Sequence, residues 1–192
     1  MTPEIVELRI RAEKIGTVRE VMQLLADFEN AYNSIYVFIF FMEKLSIDKQ
    51  RKLAPWEDKY FHWSRYLIER AMRQDYPYDL FTQELARHID NIVPANERLT
   101  ISKINIQSPG FWEFLGNINP LQQIRDFIKD LTYRNKQEKE LGKLEILKKK
   151  IEILRDLGYR EEEMRQFVIT MIDKPLNELV KYLHNRQIEG VE

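Results

Sequence analysis

The chain contains no cysteine. That absence removes disulfides, thiolate nucleophiles and cysteine-ligated zinc together, and it suits a reducing compartment such as the cytosol. An excess of one charge is missing as well: 30 Lys and Arg stand against 31 Asp and Glu, for a formal net charge of −1. The chain as a whole is therefore no electrostatic magnet for DNA or membranes, and any such role needs a local patch. Long apolar runs are absent too. The greasiest stretch is Ile35-Tyr36-Val37-Phe38-Ile39-Phe40-Phe41-Met42, far short of the roughly 20 residues that span a bilayer. It predicts a buried helix segment and no transmembrane helix. The start, Met1-Thr2-Pro3-Glu4-Ile5-Val6-Glu7, lacks a basic stretch followed by an apolar one, so no secretory signal is expected and the expected location is cytoplasmic.

The catalytic inventory is poor. No HExxH, GxSxG, kinase, phosphate-loop or dinucleotide fingerprint occurs. His62, His88 and His184 fall on three separate predicted helices, and His62 and Ser64, two apart, point in different directions on a helix. The sequence assigns no catalytic residue, no metal ligand and no cofactor, and it leans away from an enzyme. A spatially assembled site needs no local motif, so that leaning is an expectation only.

What is present is material for helices. The 192 residues are 44% hydrophobic and 32% charged, enough for one packed domain or a domain plus an extension, with a broad solvated face. Val6, Leu8, Ile10 and Ala12 alternate with Glu7, Arg9, Arg11 and Glu13, which predicts a half-buried strand near 5–13. Thr17 with Glu20 makes a capping box for a long helix to about Leu45. Pro55 opens another helix, Tyr76-Pro77 breaks the pattern, and Asp79 caps a shorter helix carrying Phe81, Leu85, Ile89 and Ile92.

A second strand is expected near 99–107. Leu99 and Ile101 share one parity while Ile104 and Ile106 share the other, so either a bulge near Ser102-Lys103 shifts the register or both faces are covered. Ser108-Pro109-Gly110 reads as the start of a short helix, Phe111 to Leu115, stopped by Gly116. Asn119-Pro120-Leu121-Gln122 starts a further helix running to Leu157, where Gly158 ends it. Arg160 to Met171 and Pro175 to Leu183 then read as a helical hairpin turning at Asp173-Lys174. The expected fold is mainly α, of the α+β class, with a small two-stranded β element. Its expected division is an α+β core over 1–118, then a long helix and C-terminal hairpin over 119–192.

Four features could carry function. Leu144, Leu147, Ile151 and Leu154 step by three and four, the seam of a short coiled coil. It serves either self-association and a partner helix or packing on this chain's own C-terminal helices. Lys148-Lys149-Lys150 could meet phosphates, but Glu138, Glu140, Glu145 and Glu152 are interleaved nearby, which favours a solvated salt-bridge lattice. Trp56, Tyr60 and Trp63 share a helix face, where aromatics stack bases or, more commonly, build a core or interface. Phe111 and Trp112 either anchor their segment to the core, the preferred reading, or form a docking or membrane-interface patch.

Ile104-Asn105-Ile106-Gln107-Ser108-Pro109-Gly110-Phe111-Trp112-Glu113-Phe114-Leu115-Gly116, followed by Asn119-Pro120-Leu121-Gln122-Gln123, resembles a family of uncharacterised bacterial proteins, frequent in cyanobacteria. Ile153-Leu154-Arg155-Asp156-Leu157-Gly158-Tyr159 with Glu161-Glu162-Glu163 is similar to the tail of the same family. The resemblance is confined mostly to residues after Leu99 and implies no activity, cofactor or site residue. From the residues themselves the expected role is that of a non-enzymatic helical interaction or adaptor protein. Its partner is another protein or a second copy of itself, through Leu144, Leu147, Ile151 and Leu154 and, at the surface, Phe111 and Trp112. The alternative is a nucleic-acid- or nucleotide-binding regulator using Lys148 to Lys150 or the Trp56, Tyr60, Trp63 stripe, against which the interleaved carboxylates weigh. Peripheral membrane contact ranks lower still.

Overall fold

The period-two alternation at the start of the chain places Leu8, Ile10 and Ala12 in the core and turns Glu7, Arg9 and Arg11 outward, in strand β1 (Ile5–Ala12). This computed structural model describes residues 4–13, 16–51, 59–105, 107, 109–133 and 159–192, with side chains undescribed at 44–51, 59–61 and 133. Helix α1 (Val18–Arg51) follows β1. Its start carries the expected capping box, in which the Thr17 N–H donates to Glu20 Oε2 at 2.6 Å and the Glu20 N–H to Thr17 Oγ1 at 3.3 Å. Removing a side-chain cap costs about 1 kcal/mol, so Thr17→Ala should lower stability by about that amount in urea unfolding, with an unchanged m-value.

Helices α2 (Lys59–Ala71) and α3 (Tyr78–Ile92) come next, then a 3₁₀ turn at Ala95–Glu97. Strand β2 (Thr100–Asn105) pairs with β3 (Gly110–Asn117), and helix α4 (Ile118–Tyr133) continues directly from β3. Helix α5 (Glu161–Val168), a π-helical turn (Ile169–Asp173) and helix α6 (Lys174–His184) lead to the two-residue strand β4 (Gly190–Val191). The result is a mainly helical α+β fold around a four-stranded antiparallel sheet of order β2-β3-β1-β4.

Three expectations need correction. The segment from Gly110 to Gly116 is a strand and not a short helix. Its alternation decides this, with Trp112 and Phe114 buried on the inner face while Phe111 and Leu115 point outward. Pairing β1 on one side and β2 on the other satisfies its backbone groups. Pro109-Gly110 therefore closes a hairpin, and the sheet has four strands instead of two.

The second correction concerns the C-terminal hairpin. Asp173 and Lys174 keep right-handed helical torsions, and the chain passes from α5 to α6 through one wide turn in which the Lys174 N–H reaches back to Ile169 O. Pro175 cannot donate to the helical ladder, and a π-turn absorbs that missing bond without breaking the rod. Third, α4 starts at Ile118, two residues ahead of the Pro120 that the Asn119-Pro120 start signal implies, with the Asn117 side chain accepting from the Asn119 N–H at 3.1 Å.

The register puzzle in β2 resolves in favour of a bulge, between Ile101 and Lys103. Both isoleucines, Ile101 opposite Phe114 and Ile104 opposite Trp112, thereby lie on the side of the inner residues.

The length of α1 organises two apolar clusters. Its first half, the inner face of the sheet, α4 and α6 form one, with Phe28 stacked on Phe114 at 4.3 Å between centroids. Its second half forms the other with α2, α3 and α5, where Phe38 stacks on Phe167 at 4.9 Å. Residues 35–38, 41 and 42 are buried, as the all-round apolar run predicts. Residues on either side of position 118 share the first cluster, and β4 pairs with β1 near the other end of the chain.

Candidate functional site

The sheet has one face on the core and one face uncovered among the described residues. On the outer face the Phe111 ring is half-buried, with the Arg9 guanidinium at 4.3 Å from its centroid and the Lys103 ammonium at 5.5 Å. Arg9 also donates to Glu113, whose carboxylate is buried, from Nε at 2.6 Å and from Nη2. Glu192 lies 3.8 Å from Arg9 and 3.6 Å from Arg11. An aromatic ringed by cations on an open sheet can stack a base. Here Arg9, Arg11 and Lys103 are matched by Glu7, Glu113 and Glu192, so the face offers phosphates no net attraction.

The edge of the sheet is different. Among the described residues strand β2 is terminal, and its inward residues Ile101 and Ile104 are 44% and 43% exposed, whereas Trp112 and Phe114 beside them are 1% and 2%. Helix α1 packs on β3 through Phe28, stacked on Phe114, and Tyr32, against Gly116. The flank of α1 that faces β2 is fixed by Tyr32 and Tyr36, whose hydroxyls donate to the Glu97 carbonyl at 2.5 Å and to Glu97 Oε2 at 3.1 Å, just ahead of β2. Counting back along the same flank at 100° per residue reaches Leu25, Met22 and Val18. Val18 is 78% exposed and Met22 66%. Exposed hydrocarbon thus occurs on both elements, Val18 and Met22 on α1 and Ile101 and Ile104 on β2.

A third surface is a cleft of mixed character between α1 and α3, of about 380 Å³. At one side of it Asp27 collects three donors: the Tyr182 hydroxyl at 2.6 Å, the Lys181 ammonium at 2.7 Å and the Gln23 amide at 2.8 Å. Burial, reinforced by the Asp27 hydrogen bond and the charges of Asp27 and Glu178, holds the Tyr182 phenol well above its ordinary range. Burial opposes the charge on Lys181, but its hydrogen bonds to Asp27 and Glu178 outweigh that and raise it. Tyr78 is raised chiefly by burial, with Glu178 and Asp27 adding to it, and Lys174 sits 5.0 Å above its ring. Asn30, Asn33, Glu29, Thr82 and Gln83 line the cleft itself.

Between α2 and α3 the aromatic stripe is partly legible. Trp63 stacks on His88 at 4.2 Å and meets Tyr66 edge-on at 5.7 Å, while Arg70 lies over Tyr66 and Tyr76 and pairs with Glu84 at 3.1 Å. These contacts tie α2 to α3. His62 and His88 therefore flank one tryptophan despite standing on different helices, whereas His184 ends α6 elsewhere. Among the described residues no group of three His, Asp or Glu could hold a metal ion, and no helix is long and apolar enough to cross a membrane.

Of the residues singled out from sequence, Leu144, Leu147, Ile151, Leu154, Lys148 to Lys150 and Trp56 lie outside the described residues, as does the side chain of Tyr60. Phe111 and Trp112 are separated by the strand's alternation: Phe111 faces outward and Trp112 is a core residue. Sequence reasoning missed Ile101 and Ile104 as surface groups, because only sheet order makes β2 an edge. It also missed the Asp27, Lys181, Tyr182 constellation, which joins residues 155 positions apart. No protein-family model, curated protein or solved structure matches this chain.

Proposed function

We propose that the protein is a non-enzymatic interaction protein that works by pairing with a second copy of itself. The observation that supports this most is the exposed hydrocarbon of Ile101 and Ile104 on a strand that is terminal among the described residues, with Val18 and Met22 exposed on α1. Exposed apolar groups that adjoin one another on a monomer mark contact surfaces more often than isolated ones do. A two-fold axis beside these residues lays the α1 pair of each copy on the β2 pair of the other, the self-complementary arrangement of an isologous dimer. These four side chains carry no charge to repel their twins. The bulge at Ser102 and the charge of Lys103 interrupt the backbone edge, which disfavours open-ended sheet extension and leaves side-chain packing as the contact.

The seam Leu144, Leu147, Ile151, Leu154 offers a second contact for the same role, to a partner helix or its own copy. Light scattering over a concentration series separates the two. Ile101→Asp with Ile104→Asp should convert a dimer to a monomer while the circular dichroism stays unchanged, since both residues are already partly in water. Leu147→Glu with Ile151→Glu should do so only if the seam is the contact. A wild-type mass that is monomeric at every concentration contradicts the proposal.

A further inference from the structure

Asn33 sits on the buried part of α1, only 5% exposed, and among the described residues its side-chain amide makes no hydrogen bond. It lines the cleft between α1 and α3. The amide opens onto that cleft instead of being sealed in the core, so its hydrogen-bonding groups are available there, beside a space large enough for a small ligand and far larger than one water needs. The groups around it narrow the ligand's chemistry. Among the described residues Glu29 stands at the rim, exposed and without an ion pair, and no Lys, Arg or His lines the cleft. Asp27 at the side already has its charge answered by Lys181. The unanswered charge is therefore one carboxylate, accompanied by amide and hydroxyl acceptors from Asn33, Gln83 and Thr82. Leu85 and Ile89 supply an apolar wall beside them.

From this geometry we infer that the α1–α3 cleft is a binding site for a small alkylammonium compound, its ammonium between Glu29 and the Asn33 amide oxygen and its alkyl chain along Leu85 and Ile89. An ammonium has three donors and no acceptor, which matches the Glu29 carboxylate and the amide oxygen of Asn33, while the amide N–H groups stay open to water. The site is separate from Val18, Met22, Ile101 and Ile104, so it stands or falls independently of self-association.

Titration of the full ¹⁵N-labelled chain with propylammonium, putrescine, acetamide and acetate tests it. Propylammonium and putrescine should give saturable shifts in the amides of 26–33 and 82–89, acetate none, and acetamide much weaker ones. Glu29→Gln, at an exposed position, should weaken propylammonium binding about tenfold, the equivalent of about 1.4 kcal/mol, with an unchanged melting temperature. Asn33→Leu should abolish binding. Absence of saturable shifts with either amine overturns the inference. Acetamide binding as well as propylammonium, or a Glu29→Gln variant that binds as the wild type does, overturns it equally.

Discussion

Above about pH 10 the protein should lose stability steeply; three buried tyrosines supply most of the slope, and Tyr78, whose hydroxyl is also buried, adds to it. Burial is the largest cause raising Tyr32, Tyr36 and Tyr182 above the ordinary phenol range, and the carboxylates of Glu97, beside the first two, and of Asp27, beside Tyr182, raise them further. All three are 5% exposed or less. In the unfolded chain each phenol ionises near its ordinary value of about 10. In the folded chain each keeps its proton. The unfolded state then binds fewer protons, so stability falls as pH rises through and beyond that value. Below about pH 9 both states are protonated and the three contribute no pH dependence. Each phenol contributes a slope of up to about 1.4 kcal/mol per pH unit, for about 4 kcal/mol per unit from these three, to which Tyr78 adds its share. Urea unfolding at a series of alkaline pH values measures this directly. Tyr182→Phe should reduce the slope by one phenol's share, and a stability that is flat across that range would show that these hydroxyls remain in contact with water.

Gly116→Val should be the most damaging single glycine replacement in the sheet. A Cβ at position 116 would lie 2.8 Å from Cε2 and 2.9 Å from the hydroxyl oxygen of Tyr32. The ring cannot retreat easily, because its hydroxyl donates to the Glu97 carbonyl and accepts from the Asn117 N–H at 2.7 Å. Those bonds fasten α1 to the segment entering β2 and to the end of β3. Overpacking of this kind costs about 1–3 kcal/mol, and each displaced hydrogen bond adds about 1 kcal/mol. A total near 3–4 kcal/mol corresponds to a melting point lower by roughly 10 °C for a chain of this size. Gly116→Ala should fall between that and wild type. If Tyr32 is the obstacle, Gly116→Val made on a Tyr32→Ala background should cost much less than it does alone, a coupling that a double-mutant cycle reads. Additive losses would place the strain elsewhere.

Local chemistry explains which parts of this fold could be read from the chain. The alternation in β1, the Thr17–Glu20 box and the apolar run at 35–42 are signals carried within a few residues, and each appears as expected. The parity change between Ile101 and Ile104 required either a bulge or a doubly covered strand, and pairing with β3 selects the bulge. The β3 segment misled because Ser108-Pro109-Gly110 has the form of a helix start, while five residues of aromatic and aliphatic type are too short for periodicity to decide. Strand β4 is two residues long and has no pattern of its own; it exists because β1 offers it an edge. The surfaces were less legible than the elements. Asn33 and Ser34 are visible as polar residues entering an apolar run, but only the packing of α3 on α1 shows that Asn33 borders a cleft. Likewise the meeting of Asp27 with Lys181 and Tyr182 belongs to tertiary structure alone.

The same division applies to function. An interaction role was expected from the seam at Leu144 to Leu154, whereas the surface proposed above as a contact comes from the terminal place of β2 among the described strands. The absence of cysteine makes that surface accessible to a direct measurement, because a single introduced thiol is labelled without competition. A nitroxide attached through Ile104→Cys, followed by pulsed electron double resonance, should give a defined short distance between labels on two copies. The distance should vanish on dilution with unlabelled protein. A featureless decay at every concentration, from a protein that remains folded, would contradict pairing through this surface.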